Sequence, residues 1–261
     1  MEYGDLLNSQ SKYGITKEDI LKHRGYEEIL ENVVIAPWWS HTMFENHNLK
    51  IVQVSKTVYN IYGENVSFSF LELKRIGAPA VMDYYLSLGL TKCKNILFVG
   101  SAGSLSDKIN IGDLIIPSCS ICGEGASRYL NKDLEDEFGK EEYPYGELTQ
   151  SLIDICNKGK YQYMSAINYS TDTVFAQYSF MDYIKDTGAK TIEMETSLLF
   201  KCSNMLKIST AALLCISDNT VAKKTLYSQQ IDKENEYRHI VRNNIIPEII
   251  IDLFTGYNKQ Y

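Results

Sequence analysis

The chain has 261 residues, enough for one large domain or two small ones. Its 26 Lys and Arg against 33 Asp and Glu leave a formal charge of −7, which argues against duplex nucleic acid or an anionic membrane as partner. With 44% hydrophobic and 23% charged residues the balance is that of an ordered globular protein, and no apolar run approaches the ~18 residues of a membrane span.

The opening MEYGDLLNSQ has neither a basic region nor an apolar stretch, so the reading is a cytoplasmic protein without a signal peptide. Residues 1–15 are polar and predict a loosely held segment. Thr16-Lys17-Glu18-Asp19 marks a helix start, and Ile20, Leu21, Ile29 and Leu30 predict a helix to about residue 31. Val33 to Ala36, Leu49 to Ser55 and Val66 to Leu73 read as strands, with Gly63-Glu64-Asn65 a turn before the third. Pro79 to Leu88 predicts a helix capped by Gly89. Asn95 to Val99 is a buried strand that runs into Gly100-Ser101-Ala102-Gly103, which reads as a turn.

Further on, 147–158 predicts a helix, Tyr163 to Asn168 a strand and 179–186 a short helix. Lys190 to Glu193 is strand-like, 195–206 helical, and Thr210 to Ile216 the most apolar strand. A long helix is predicted from about Ser228. Strands alternating with helices give an α/β fold: a mixed, mostly parallel central sheet with helices on both faces. No linker or repeat divides the chain, so residues 1–32 are read as an N-terminal helical extension to a single domain over 33–261.

Six cysteines lie between Cys93 and Cys215, and Cys119 to Cys122 forms a C-x-x-C. That pair follows the apolar run Leu114 to Pro117, so it reads as strand and small buried residues, not as a redox pair at a helix start. The four histidines, at 23, 41, 47 and 239, have no metal-ligand spacing, so no metal is expected. The dinucleotide glycine fingerprint, the P-loop and the G-x-S-x-G elbow are all absent.

In such sheets ligands bind beyond the carboxyl ends of the strands. That rule selects Gly100 to Gly103, Thr171 to Gln177, Glu193-Met194-Glu195 and Ser217-Asp218-Asn219. Each alone has an ordinary structural explanation: a tight connection, a helix-dipole carboxylate, an N-cap. In order, Gly100 to Leu105, Ile111 to Pro117, Glu193 to Glu195 and Ile216-Ser217-Asp218 resemble the nucleoside phosphorylase/nucleosidase family. It includes purine nucleoside phosphorylases, uridine phosphorylases and methylthioadenosine nucleosidases, and the resemblance spans roughly residues 33 to 256.

The resemblance implies a phosphorylase-like fold and assigns roles. Cleavage of a ribose–base bond passes through an oxocarbenium-like sugar, so the leaving base needs a proton and the cation needs support. Asp218 would protonate N7 of a purine, oriented by Ser217, and Glu195 would accept the ribose hydroxyls. Met194 would pack on the sugar, Glu193 would lie near the base, and Phe175 would either stack on the base or serve as core. Uridine-type members carry Gln and Arg just after this point. Here Gln177 is followed by Tyr178 and Ser179, which with Ser217-Asp218 favours purines.

Departures concern the anion. Hexameric phosphorylases have an arginine where Phe98 stands and a Gly-Asp-Pro-x-x-Arg loop where Pro37 to Thr42 stands. Ser101 and Gly103 remain for phosphate or water, with Arg75 as the remaining cation and backbone N–H groups at Gly100 as a nest. Methylthioadenosine nucleosidases also lack the first arginine and use water, with an acidic residue after the first strand; the nearest candidate here is His41. Trp38 and Trp39 either cover a pocket or are core. Gly123 to Leu130 is similar to a stretch of some uridine phosphorylase relatives and leans toward phosphorolysis, though as a charged neighbour of Asn131 to Glu142 it also reads as a mobile loop.

The expectation is a homo-oligomer (dimer, trimer or hexamer) that binds a purine nucleoside and phosphate, needs no cofactor, and releases ribose 1-phosphate. Two alternatives stay open: a hydrolytic nucleosidase of the methylthioadenosine type, and a nucleoside-binding protein with degraded catalysis. A nicotinamide-dependent oxidoreductase is poorly supported without its glycine fingerprint.

Overall fold

The computed structural model describes residues 1–228 and 232–258. Helices α1 (Tyr3–Ser11) and α2 (Lys17–Arg24) precede strands β1 (Asn32–Pro37), β2 (Lys50–Gln53), β3 (Val58–Tyr62) and β4 (Ser67–Leu73). Then come α3 (Ala78–Leu88), β5 (Asn95–Ser104), β6 (Leu114–Gly123), β7 (Glu141–Glu142), α4 (Leu148–Gly159) and β8 (Met164–Thr171). The chain continues through α5 (Met181–Asp186), β9 (Thr191–Glu193), α6 (Thr196–Leu206) and β10 (Ser209–Asn219). Helices α7 (Asp232–Ile240) and α8 (Ile246–Asn258) follow, joined by a π-helical turn at Val241–Ile245. Ser228 lies in a bend, residues 229–231 fall outside the described residues, and the predicted C-terminal helix is seen from Asp232.

The sheet is mixed, and its two longest ladders, β10–β5 and β6–β8, are parallel. Its strands run in the order β10-β6-β8-β9-β5-β1-β4-β3-β2, and β10 also pairs with β5. That extra pairing closes β5, β9, β8, β6 and β10 into a ring, from which β1, β4, β3 and β2 extend as a wing. Within the ring the antiparallel ladders β5–β9 and β10–β6 are short, whereas the wing strands β2, β3 and β4 pair antiparallel along their length. Strand β3 was not expected from the sequence, yet it joins β2 to β4.

Alternation along the strands feeds two apolar layers. Val33, Ile35, Ile96 and Phe98 pack with Val81 and Tyr85 of α3 and Leu198 and Leu199 of α6. Val34, Ala36, Leu97 and Val99 pack on the other face with Leu148 and Leu152 of α4 and Ile249 and Leu253 of α8. Fully burying each such side chain contributes roughly 1.5–3 kcal/mol, so helices on both faces follow from strands that are apolar throughout. All six cysteines are free and buried, and Cys119 and Cys122 lie within β6 as expected. Among the described residues no helix is long and apolar enough to cross a membrane.

The N-terminal segment departs from its predicted form in two ways. Residues 3–11 are helical and held: the Tyr3 hydroxyl donates to the Leu86 carbonyl at 2.7 Å, and Leu6 packs against the core. The helix predicted to reach residue 31 ends at Arg24, because Gly25 turns left-handed at φ +70°. Tyr26 and Ile29 then enter the core. A Cβ at Gly25 would lie 2.3 Å from the Ser55 Cβ, so the position is closed on both backbone and steric grounds.

Gly25→Ala is therefore expected to destabilise the protein by about 1–3 kcal/mol in urea or thermal melts. Gly14, also left-handed at φ +75° but with open space around it, gives the control. Gly14→Ala should show only the backbone penalty, of about 1 kcal/mol or less. Equal losses at the two sites would mean that the Ser55 contact carries no weight.

Candidate active site

The carboxyl ends of β1, β5, β9 and β10 open onto a cavity of about 320 Å³. It gathers eight of the ten residues selected from the sequence: Ser101, Gly103, Gln177, Glu193, Met194, Glu195, Ser217 and Asp218. Phe175 and Arg75 do not join them. Phe175 is 84% exposed and its neighbour Val174 lines the cavity, while Arg75 is exposed between β4 and α3 and its neighbour Ile76 takes that place. A larger groove, about 650 Å³, lies between α1, α2 and α3, but its ion pair Arg24–Asp83 is satisfied internally at 3.0 Å.

Gly100 to Gly103 is strand, not the expected turn. β5 continues to Ser104 because β10 pairs with it along its whole length, so these amides belong to a ladder and form no nest. A bulge between Ile216 and Asp218 breaks the register, so that Ser217 has no opposite residue on β5 and Asp218 stands opposite Gly103. A Cβ on Gly103 would lie 3.2 Å from Asp218 Oδ2, so the absent side chain makes the room the carboxyl occupies. Ser217 Oγ lies 2.8 Å from Asp218 Oδ1 and donates to it. Burial raises the pKa of Asp218, against the opposing effects of the Ser217 hydrogen bond and the positive charge of Arg238.

The two glutamates of the Glu193-Met194-Glu195 segment have separate tasks. Glu193 Oε2 accepts from the backbone N–H groups of Glu195 (2.7 Å) and Thr196 (2.9 Å), capping the start of α6. Its Oε1 accepts from Asn168 Nδ2, Ser170 Oγ and Thr196 Oγ1 at 2.6–2.9 Å. Glu195 is buried and accepts from the Gly77 N–H, whose residue sits at φ +94° at the start of α3. Burial, reinforced by the charge of Glu193, holds the Glu195 carboxyl well above the ordinary range.

Two cationic residues of this cavity were missed by the sequence reading: Arg238 and Arg242, on α7 and the π-helical turn. Arg238 Nη1 donates to the Ser217 carbonyl at 3.2 Å. Arg242 Nη2 donates to the Trp38 carbonyl at 2.7 Å, and its guanidinium lies 4.4 Å over the Trp39 ring. Their only sequence signal is the i, i+4 spacing, which puts both on one helix face. Both tryptophans line the cavity, Trp39 as a buried core residue and Trp38 while 62% exposed. His41 lies outside it, with Nδ1 2.7 Å from Glu72 Oε2 and its ring stacked on Tyr59. Gly123 to Leu130 also lies outside: Glu124 is buried and accepts from the Ala126 and Ser127 N–H groups, which fixes a 3₁₀ turn there.

Raised carboxyl pKa values carry a definite pH signature. The folded protein binds protons more tightly than the unfolded chain at Glu195 and Asp218, so their stabilisation is complete below the ordinary carboxylate range. It is lost as pH rises through the raised values. Between about pH 5 and about pH 9, wild-type stability should fall, and Glu195→Gln should fall less, by on the order of 1–3 kcal/mol. Urea melts across that range check it; parallel curves would mean that Glu195 does not carry the effect.

The profile of the Phosphorylase superfamily matches residues 56–243. A purine nucleoside phosphorylase of DeoD type from Mycoplasma genitalium is 22% identical over 160 residues, 59% of this chain and 65% of that protein. A uridine phosphorylase from Thermococcus kodakarensis is 23% identical over 203 residues, 70% of this chain and again 65% of the relative. The matches thus span slightly less than two thirds of either relative. An AMP nucleosidase structure from Bacteroides thetaiotaomicron shares the fold over 100% of both chains, with a TM-score of 0.65 at 19% identity. With more than half its length matched by the family profile, the chain belongs to the phosphorylase superfamily.

Proposed function

We propose that this protein cleaves the N-glycosidic bond of a purine nucleoside by phosphorolysis, releasing the free base and ribose 1-phosphate. The observation that carries the reading is the protonatable carboxyl of Asp218, buried in the cavity, oriented by Ser217 and given room by Gly103. In the step, the C1′–N9 bond breaks with its electron pair leaving on the base. N7 takes the proton of Asp218, and a phosphate oxygen forms the new bond to C1′. Solvent then returns a proton to Asp218.

Glu195 receives the ribose hydroxyls, and Met194 packs against the sugar. Glu193 serves the site through α6, since both its oxygens are engaged by protein donors. Gln177 and Ser217 flank the base, with Val174 supplying the apolar contact expected of Phe175. Tyr178 and Ser179 stand where a uracil-reading arginine follows the glutamine, which supports purine over pyrimidine.

The deciding experiment is a nucleoside panel assayed for free base with and without phosphate, identifying the sugar product. Phosphate-dependent release of purine with ribose 1-phosphate is expected. Free ribose at an undiminished rate without phosphate would mean a hydrolase, and binding without turnover a nucleoside-binding protein.

Asp218→Asn keeps shape and hydrogen bonding but loses the proton, so kcat should fall by ~10²–10⁴-fold. Full turnover of an ordinary purine nucleoside by that variant would refute the assignment. For Glu195, the readout is discrimination against 2′-deoxyribosides. A missing hydroxyl leaves a buried acceptor unpaired, at roughly 1–3 kcal/mol, so Glu195→Ala should narrow the gap between ribosides and 2′-deoxyribosides. An unchanged preference would place the diol elsewhere.

A further inference from the structure

A phosphate needs cations, and the sequence withholds them from their expected places. Phe98 and the segment from Pro37 to Thr42 contribute none, and Arg75 lies outside the cavity. The structure supplies two from elsewhere. Arg238 and Arg242 reach the cavity from the C-terminal helical segment, four residues apart across the junction of α7 and the π-helical turn. π-Turns inside helices are frequent at functional sites.

Arg242 is held in place by unusual means. Its fork is pinned by the Trp38 carbonyl, and its plane packs over Trp39. Trp38 adopts φ +62°, a left-handed conformation that a bulky aromatic residue rarely takes. Such backbone strain persists where the surroundings enforce it, and it clusters at ligand clamps. Neither guanidinium is in an ion pair among the described residues. Burial, and then the charge of Arg238, lower the pKa of Arg242, as expected of two cations side by side without a counter-ion. Ser101, exposed in the same cavity, adds a hydroxyl donor.

We propose that Arg238 and Arg242, with Ser101, hold a phosphate group, so that the C-terminal helix supplies the anion site in place of the loop after β1. Guanidinium forks match phosphate oxygens in pairs, and a dianion balances both charges. A phosphate seated there also offsets the field of Arg238 on Asp218, so anion binding favours the protonated acid. The phosphate is either the inorganic ion beside a nucleoside or the 5′-phosphate of a nucleotide. The first case rests on the phosphorolysis reading above; the second does not.

The test is binding of inorganic phosphate to the full chain by calorimetry, with steady-state kinetics beside it. Arg238→Ala and Arg242→Ala should each weaken phosphate binding on the order of tenfold to a hundredfold, and Arg242→Lys by less, since it keeps charge without the fork. Lys185→Ala, an equal charge loss outside the cavity, should change nothing. Because Arg242→Ala also frees the Trp38 carbonyl, the decisive variants are Arg238→Ala and Arg242→Lys, with melting in the absence of phosphate matched to wild type.

Two kinetic arms separate the sources. With adenosine plus phosphate, the loss should fall on KM for phosphate; with adenosine 5′-monophosphate alone, on KM for the nucleotide. Phosphate binding that needs both arginines in an enzyme that releases free ribose would overturn phosphorolysis and keep this site. Phosphate-dependent turnover with unchanged KM and unchanged phosphate affinity in the arginine variants would keep phosphorolysis and overturn this site.

Discussion

The parallel pairing of β5 with β10 is the constraint on which the site depends. It runs from Asn95–Ser209 to Ser104–Asn219, closes the strand ring, and slips once, between Ile216 and Asp218. The slip decides the chemistry of the cavity. Without it, Ser217 would stand opposite Gly103 and Asp218 opposite Ser104, and the pleat would send the carboxyl to the other face of the sheet. With it, Asp218 meets the one residue in that stretch of β5 whose missing side chain leaves room. Gly103 and Asp218 therefore act as a matched pair, and substituting either one alters the space available to the other.

A second constraint separates two carboxylates only two residues apart. Glu193 is surrounded by donors from the α6 backbone, Asn168, Ser170 and Thr196, a set that satisfies a buried charge. Glu195 has the Gly77 N–H, and its burial, with the charge of Glu193 beside it, holds its carboxyl above the ordinary range. The same residue type thus serves as a fixed cap in one place and as a titratable wall of the cavity in the other. Asn168 links this arrangement to the strand ring, because it also donates to Ser120 and accepts from Thr191. A buried polar network with every member engaged is rigid, which suits a surface that must orient a ligand.

Much of this was legible in the sequence, for reasons that residues make plain. Val33 to Ala36, Asn95 to Val99 and Thr210 to Ile216 are apolar runs that only a doubly covered sheet can bury, so the fold and the strand ends followed. Pairing was not legible. Gly100 to Gly103 has turn composition, and only its partner β10 keeps it extended. Val58 to Tyr62 has strand-favouring residues but no period-two alternation, and it is short and follows the polar Ser55-Lys56-Thr57. The roles of Arg75 and Phe175 came from resemblance, and both side chains are exposed outside the cavity. Arg238 and Arg242 were hidden for the opposite reason. They sit in a segment rich in both charge signs, where arginines read as solvated, and tertiary docking alone turns them inward.

The cavity is chemically asymmetric, and the asymmetry bears on how a polar ligand can be held there. Its inner wall carries Glu193, Glu195 and Asp218, all buried, while Trp38, Ile76 and Leu226 lie along it with half or more of their surface exposed. A ligand that covers those apolar side chains removes them from water and, with them, the water that screens the wall behind. Electrostatic effects then strengthen, because the effective dielectric falls. The same change raises the energy of any unpaired charge, so the guanidinium N–H groups not engaged by the Ser217 and Trp38 carbonyls gain from acceptors on the ligand. On the reading proposed above, a molecule with an apolar ring face, a diol and a phosphate complements the apolar side chains, Glu195 and the two half-buried arginines together. On that reading, the separation of cationic and acidic groups within one cavity favours ligands, or ligand pairs, that bring both kinds of complement together.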